Sequence, residues 1–444
     1  MSSNQYKTFF DEIQGEFIYI LENYNPYGYG ISCLKCRLIP KWVESTCPLC
    51  GRGKTYVHEH KRREIHGGVF NGVPVIYMLD QRRHICTICG GTFVDEYECL
   101  PWRHGIVEEA ENYIRTVLGT MPMSLIASHL GLSVQTIANR AKEYAGEEKG
   151  IMLNCHYRYL SMDEIYIGYK KDGSHRIYWV LNDNSVPWKS NNIMISIGRT
   201  KADVIENLKK LKYGNEVIAV SIDMWGSYKD AIREALPNAV VVIDRFHVME
   251  HAEKVINAAR ANAECPKKIK DDMKEDTPLL LKYWMKLTGD ELDRLEYYLS
   301  YDKKLEEVYY LVQEFMDFYN QRDYDSALEY ICQWESKLFR SNVVEELRSL
   351  YDTLLNWLPE IMNYFLYRIT NGRTEGKNNL LREIDRMGFH YGLDCLQACL
   401  YAHDRNQELI KWRRHQHKIE LKMLEKAKIT DNCAATEIES TIAA

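Results

Sequence analysis

The chain has 444 residues, 45% hydrophobic and 27% charged, so two or more domains are expected and neither a disordered nor a fibrous protein is indicated. Its formal net charge of −6, from 57 basic and 63 acidic residues, argues mildly against a surface that is basic throughout but leaves room for local basic patches. No stretch reaches the roughly 18 consecutive apolar residues of a membrane span, and MSSNQYKTFFDEIQGEF has no basic run leading into an apolar one, so a cytoplasmic, non-membrane protein is expected.

An N-terminal segment, 1–30, precedes a module at 31–104 whose short apolar runs, glycines and cysteines predict small β structure around a metal. Cys47-Pro-Leu-Cys50-Gly and Cys86-Thr-Ile-Cys89-Gly are two knuckles separated by 35 residues. Each offers two thiolates on a tight turn, and together they supply the four ligands of a tetrahedral structural Zn2+ site. Gly51 and Gly90 permit the backbone that turns amides toward sulfur. A third pair, Cys33 and Cys36, either is idle or belongs to a second metal completed by His58, His60 or His66. His58-Glu59-His60 and His415-Gln416-His417 read as surface histidines, because the residue between each pair is polar.

From residue 105 to 150 the pattern turns helical. Ser124 to Leu130, the break Gly131-Leu132-Ser133, and Val134 to Tyr144 have the length and punctuation of a helix-turn-helix capped by Ser133. Ile137 and Ala141 then face inward, while Gln135, Thr136, Asn139 and Arg140 project outward with side chains suited to base edges and phosphates. The alternative is a plain helical hairpin.

Residues 151–250 alternate strand-like runs (HYRYLSMDEIYIGY, HRIYWVL, NIMISIG, EVIAVSID, NAVVVID) with helical segments at 201–212 and 226–236, which predicts a mixed α/β sheet. An all-helical stretch follows at 251–360, where Leu305, Val308, Tyr309, Val312, Phe315 and Tyr319 form one apolar face and read as core. Residues 361–426 return to the α/β core, and 427–444 have little core-forming content, so a frayed or disordered tail is expected.

Four acidic positions stand out by context. Asp223 closes the apolar run from Val217 to Ile222, at the strand edge where open α/β sheets bind ligands. Asp163 interrupts an aromatic-rich strand, where an uncompensated carboxylate is costly; a divalent cation shared with Asp223 would compensate it. Alternation sends the adjacent Glu164 to the opposite face. Asp244 ends a further apolar strand and opens Asp244-Arg245-Phe246-His247, and Glu375 lies in a polar helix start where it shares one face with Asn378 and Asn379. In isolation each acid is better read as solvated, capping or salt-bridged.

Taken in order, CPLCG, GVPVIYMLDQRRHICTICGGTF, SMDE, VSIDMWGSY, VIDRFHV and RITNGRTEGKNN resemble the ISL-three (ISL3) family of insertion-sequence transposases over nearly the whole chain. The resemblance implies an RNase H-like mixed-sheet core interrupted by a long all-helical insertion and preceded by a small zinc-binding β module and a helix-turn-helix. It also implies a DDE triad of Asp163, Asp223 and Glu375, with Asp244 and His247 matching an Asp-x-x-His motif. Such a triad holds two Mg2+ (or Mn2+) ions for direct in-line displacement, so strand cleavage and strand transfer share one site. His247 then positions the scissile phosphate or is a packed histidine at a helix start. The implied partner is double-stranded DNA, both element ends and target, with Arg373, Asn378 and Asn379 joining the helix-turn-helix contacts. A nucleoid-associated homo-oligomer, at least a dimer on paired ends, follows. Rival readings are a non-catalytic DNA-binding regulator and a resolving nuclease without strand transfer. Cys33 and Cys36 lie outside the family's four-cysteine pattern, and Glu383 and Asp385 fall where a more basic stretch is expected.

Overall fold

The computed structural model describes residues 17–22, 33–41, 46–70, 72–97, 100, 105–169, 175–186, 189–198 and 200–442, so most of the expected N-terminal segment 1–30 lies outside the described residues. The chain forms two compact units, residues 1–148 with 384–444, and residues 149–383.

In the first unit, β1 (Phe17–Leu21), β2 (Leu34–Pro40), β3 (Thr55–Phe70), β4 (Val73–Cys86) and β5 (Thr92–Val94) form one sheet in the order β1-β2-β4-β3, with β5 on β4. The β3–β4 hairpin is its spine, and Leu38, Ile65, Leu79 and His84 are among its buried side chains. The cysteine knuckles sit at turns. Thr46 bridges Lys54 around the first, and the second is the turn joining β4 to β5. Three helices follow, α1 (Glu108–Val117), α2 (Met123–Leu130) and α3 (Val134–Leu153). Gly131 closes α2 in the left-handed region, at φ +65°, and Ser133 Oγ accepts from Thr136 N at 3.0 Å to cap α3. Ile137 and Ala141, the residues expected to face inward, are buried, as are Ile114, Ile126 and Leu130.

In the second unit, β6 (Tyr159–Tyr169), β7 (His175–Val186), β8 (Lys189–Ile197), β9 (Ala219–Ile222) and β10 (Val240–Ile243) form a sheet in the order β10-β9-β6-β7-β8. β6, β7 and β8 pair antiparallel, while β9 runs parallel to both β6 and β10. This mixed sheet carries the expected α/β class. α4 (Lys201–Leu208) leads from β8 into β9, α5 (Gly226–Ala235) connects the parallel strands β9 and β10, and α6 (Arg245–Asn262) follows β10 directly.

The helical stretch comprises α7 (Lys267–Glu275), α8 (Thr277–Leu281), α9 (Gly289–Leu299), α10 (Lys303–Asp317), α11 (Tyr324–Leu338) and α12 (Arg348–Tyr367). Asp302 caps α10 by accepting from Lys304 N and Leu305 N at 2.8 and 3.2 Å. The stripe from Leu305 to Phe315 is buried, as its spacing predicts, and Trp334 of α11 donates to Leu311 O at 2.8 Å. The core is continuous from the sheet through these helices. Asn363 of α12 donates to Val241 O of β10 at 2.8 Å, and buried Glu360 accepts from Arg233 of α5 at 3.0 Å.

α13 (Gly372–Met387) and α14 (Leu393–Ile442) complete the chain and bring two corrections. The core portion expected at 361–426 is divided, because residues from 384 onward group with the N-terminal unit, where Leu396, Cys399 and Leu400 are buried. The disordered tail expected at 427–444 is helical through Ile442. The segment IELKMLEKAK is rich in strong helix formers, which favours continuation of the helical backbone. Among the described residues no helix is long and apolar enough to cross a membrane.

Candidate active site and metal centre

β6 is the sheet's centre, and its faces have different characters. Leu160 and Met162 enter the apolar core, whereas Ser161 and Asp163, both buried, face α13 through polar contacts. Asp163 Oδ2 accepts from Asn378 Nδ2 at 2.7 Å, and Oδ1 accepts from Glu164 N at 2.8 Å. Glu164 turns away, as alternation predicts, and accepts from Tyr228 Oη of α5 at 2.7 Å.

Asp223 follows the last residue of β9, the buried parallel strand beside β6. Its Oδ1 lies 2.5 Å from His247 Nε2, which the first turn of α6 presents. One ligand atom from each of Asp163, Asp223 and His247 falls within 4.8 Å of the others. Burial and then the Asp223 carboxylate push the Asp163 carboxyl up to about 7. Burial works against charge on His247, but hydrogen bonding and charge from Asp223, backed by Asp244 and Asp163, raise the imidazole to about 9. The cluster therefore gathers negative charge faster than its own side chains neutralise it. Such a donor set suits a divalent cation, and buried acceptors Asn371 Oδ1 and Asn378 Oδ1 beside it have no hydrogen-bond partner among the described residues.

Asp244, at the end of β10, is not in the cluster. It is buried and accepts from Asn371 N at 2.9 Å, and burial raises its pKa. Asn371 Nδ2 reaches Met162 O at 3.2 Å. Thr374 Oγ1 meets Ser161 Oγ at 2.7 Å and accepts from Asn182 Nδ2 at 3.2 Å. Asn371, Thr374 and Asn378 thus form a buried polar stripe, spaced i, i+3, i+7, that fastens the start of α13 to β6, β7 and β10. Sequence reading missed this stripe. Its signal was the pairing of Ser161 and Asp163 at strand spacing with polar residues at helical spacing.

Glu375, the third acid of the expected triad, is on the same helix but outside the three-residue cluster. Its carboxylate is exposed and lies 3.5 Å from Arg382. The face expected to unite Glu375, Asn378 and Asn379 is split. Asn378 is buried against Asp163, while Glu375 and Asn379 both face Arg382, which donates to Asn379 Oδ1 at 2.6 Å. Asn378 is accordingly corrected from a surface DNA contact to a buried partner of Asp163, because its side chain is fully enclosed.

In the first unit, one sulfur from each of Cys47, Cys50, Cys86 and Cys89 lies within 4.8 Å of the rest. Cys47 and Cys89 Sγ are 3.8 Å apart, Cys50 and Cys86 Sγ 3.7 Å. Cys89 N and Ile88 N donate to Cys86 Sγ at 3.5 and 3.3 Å, and these amide bonds pull the Cys86 thiol down to about 6. Gly51 and Gly90 adopt φ +68° and +67°, the conformation expected of knuckle turns. Four convergent free thiols are compatible with zinc. Cys33 and Cys36 stay outside the cluster, and burial followed by Glu22 raises Cys36 to about 11.

Of the residues expected to read DNA, Gln135 and Asn139 are exposed and bonded to each other at 2.9 Å. Thr136 meets Ser133 Oγ at 2.8 Å. Arg140 pairs with Glu111 at 3.3 Å and Glu143 at 2.6 Å, and Arg373 donates to Val186 O at 3.0 Å.

A mixed sheet that brings two carboxylates and an imidazole together beside the ends of parallel strands has the makings of a metal-dependent phosphoryl-transfer site. The family model for ISL3-type DDE transposases, described as "Transposase", matches residues 160–397, and the chain belongs to that family and is a DNA transposase. Membership in a DDE family implies use of divalent metal. The transposase for insertion sequence element IS1001 from Bordetella parapertussis is 23% identical over 387 residues, covering 82% of this chain and 92% of that protein. Among solved structures, the Drosophila P element transposase strand transfer complex aligns with a TM-score of 0.38 at 12% identity, covering 68% of this chain and 92% of that one. A pre-cleavage Mos1 transpososome aligns at a TM-score of 0.15 and 14% identity, covering 49% of this chain and 80% of that one.

Proposed function

We propose that this transposase binds the terminal inverted repeats of an insertion sequence and performs both strand cleavage and strand transfer at one RNase H-like site. The observation that carries this reading is the convergence of Asp163, Asp223 and His247 within 4.8 Å, with Glu375 on the helix fastened to Asp163. The strand order β10-β9-β6-β7-β8, three antiparallel strands followed by two parallel ones, supports the RNase H-like assignment.

Asp163, Asp223 and Glu375 are the proposed ligands of Mg2+ or Mn2+. Two such ions, when bound, supply the charge that activates a water or a DNA 3′-hydroxyl and stabilises the leaving oxygen. The chain's own work is positioning. Asn378 holds one oxygen of Asp163, and Asp244 anchors the first residue before α13. His247, drawn upward to about 9 by hydrogen bonding and charge from Asp223 against the effect of burial, is placed to steer a phosphate oxygen. The four-cysteine module holds Zn2+ and, with α2 and α3, recognises the element ends through Gln135, Thr136 and Asn139. Arg140, Arg373 and Asn379 approach phosphate after exchanging their present partners. Paired ends call for at least a dimer.

The test is incubation of the purified chain with a linear duplex carrying the element end, with Mg2+ or Mn2+ against a chelator. Metal-dependent nicks with 3′-hydroxyl ends and joined products are expected. Nicks without joining favour the resolving nuclease, and end binding without nicks favours the regulator; either result overturns the proposal.

A further inference from the structure

α13 ends in a loop whose geometry is stricter than its composition warrants. His390 N donates to Asp385 O at 2.9 Å and Phe389 N to Arg386 O at 3.3 Å, the bond pair of a Schellman C-cap. That motif needs one left-handed residue, which is usually glycine. Here Phe389 occupies it at φ +52°, followed by His390 at φ +73°. Glycine stands one residue too early, at Gly388, where a side chain would strike the Tyr391 ring at 2.1 Å. The turn is held from several sides. His390 Nδ1 lies 2.6 Å from the buried Asp385 carboxylate, and Tyr391 Oη accepts from Met123 N, the first residue of α2, at 2.9 Å.

The side chain that this strained position presents makes no use of the fold, since Phe389 is 89% exposed. It is also isolated. From Tyr367 to Glu408 no other large hydrophobic residue is exposed, and the residues flanking it in sequence are Arg386, Met387, Gly388, His390 and Tyr391, of which Met387 and Tyr391 are half-buried. A protein interface core needs a contiguous apolar patch, whereas a single fully exposed aromatic ring with Arg386 and His390 close in sequence can stack on a nucleobase beside phosphates. Strain maintained at a site without structural benefit marks function.

We propose that Phe389 is a base-stacking wedge, inserting against an unstacked nucleobase of the DNA that the transposase processes. The inference rests on the DNA-processing reading above, and it predicts a separable defect. Phe389→Gly places the favoured residue at the cap, so the thermal midpoint is unchanged or raised and duplex-end binding stays within about two-fold. Joining on fully paired ends falls about five- to hundred-fold, the range that loss of one base–aromatic stack gives. Thymines of the bound element end become less reactive to permanganate than with the wild-type chain, because fewer are unstacked. Unpaired or mismatched bases at that position restore joining to Phe389→Gly, and Phe389→Trp is active where Phe389→Leu is not. Equal joining and permanganate patterns for Phe389→Gly and wild type on paired ends overturn the wedge, and so does rescue by Leu as complete as by Trp. A wild-type chain that neither binds nor joins overturns the underlying reading instead, so the two failures are distinct.

Discussion

Asn378 Nδ2 donates to Asp163 Oδ2 at 2.7 Å, joining the middle of β6 to the first turns of α13 across 215 residues of sequence. Because Asp163 is buried and its carboxyl is already pushed up by its surroundings, this donor is part of what permits a charge there. Asn378→Ala is therefore expected to slow nicking by about 5- to 100-fold, from loss of about 1–3 kcal/mol of hydrogen bonding to a buried charged group. End binding changes little. Gel-shift titration alongside single-turnover nicking rates checks the split, and a variant that binds worse but cuts normally refutes the positioning role.

Asp223→Asn keeps the shape at the end of β9 and removes the charge that His247 faces. DNA bearing the element ends should still be bound, while nicking and joining vanish. Retained cleavage removes Asp223 from the metal site.

Glu375 and Arg382 are exposed and 3.5 Å apart, a class of pair worth about 0–1 kcal/mol. So weak a tether does not hold Glu375 away from a cation. Glu375→Gln should abolish metal-dependent cleavage, whereas Arg382→Ala should leave the thermal midpoint within about 2 °C. Full cleavage by Glu375→Gln places the third ligand elsewhere.

Removing the metal from the four-cysteine cluster should unfold the knuckle turns, since ligand binding and folding are coupled in such modules. Cys86→Ala is expected to lose zinc by elemental analysis and to lose selective end binding while retaining non-specific nicking. Cys33→Ser, outside the cluster, should keep its zinc. Unaltered end selectivity in metal-free Cys86→Ala protein separates the cluster from recognition.

Lys282 and the amide of Thr288 draw the Glu291 carboxyl down to about 2 at the start of α9. A folded-state pKa below the unfolded one contributes stability that is complete above the unfolded value, about 4.3, and is lost as pH falls toward 2. Glu291→Gln should therefore flatten the loss of stability across that window. Denaturant midpoints measured at pH 5, 4 and 3 decide the matter, and parallel curves for the two proteins contradict it.

Much of the site was legible before folding was considered. Asp163 and Asp223 stand out because a carboxylate inside or at the end of an apolar strand is expensive unless compensated, and His247 follows from its place just after such a strand. The cysteine knuckles carry their own turn glycines, and the break at Gly131 to Ser133 announces its helices. Asn378 was read as a DNA contact and no role was given to Asn371 or Thr374, because a helix of polar residues has the composition of a solvent-facing one. Only the partner surface, Ser161, Asp163, Asn182 and Asp244, reveals that the stripe is buried. The C-terminal helix was mistaken for a tail because core content was weighed above helix propensity.

Sequence alone determined the local outcomes: strand and helix spacing, caps, knuckle turns and the identity of the costly acids, all of which arise between residues a few positions apart. Tertiary structure decided which polar groups lose water together. That is a property of surfaces drawn from β6, β10 and α13, distant in the chain, and the cost of burying each polar atom depends on whether the fold supplies its partner.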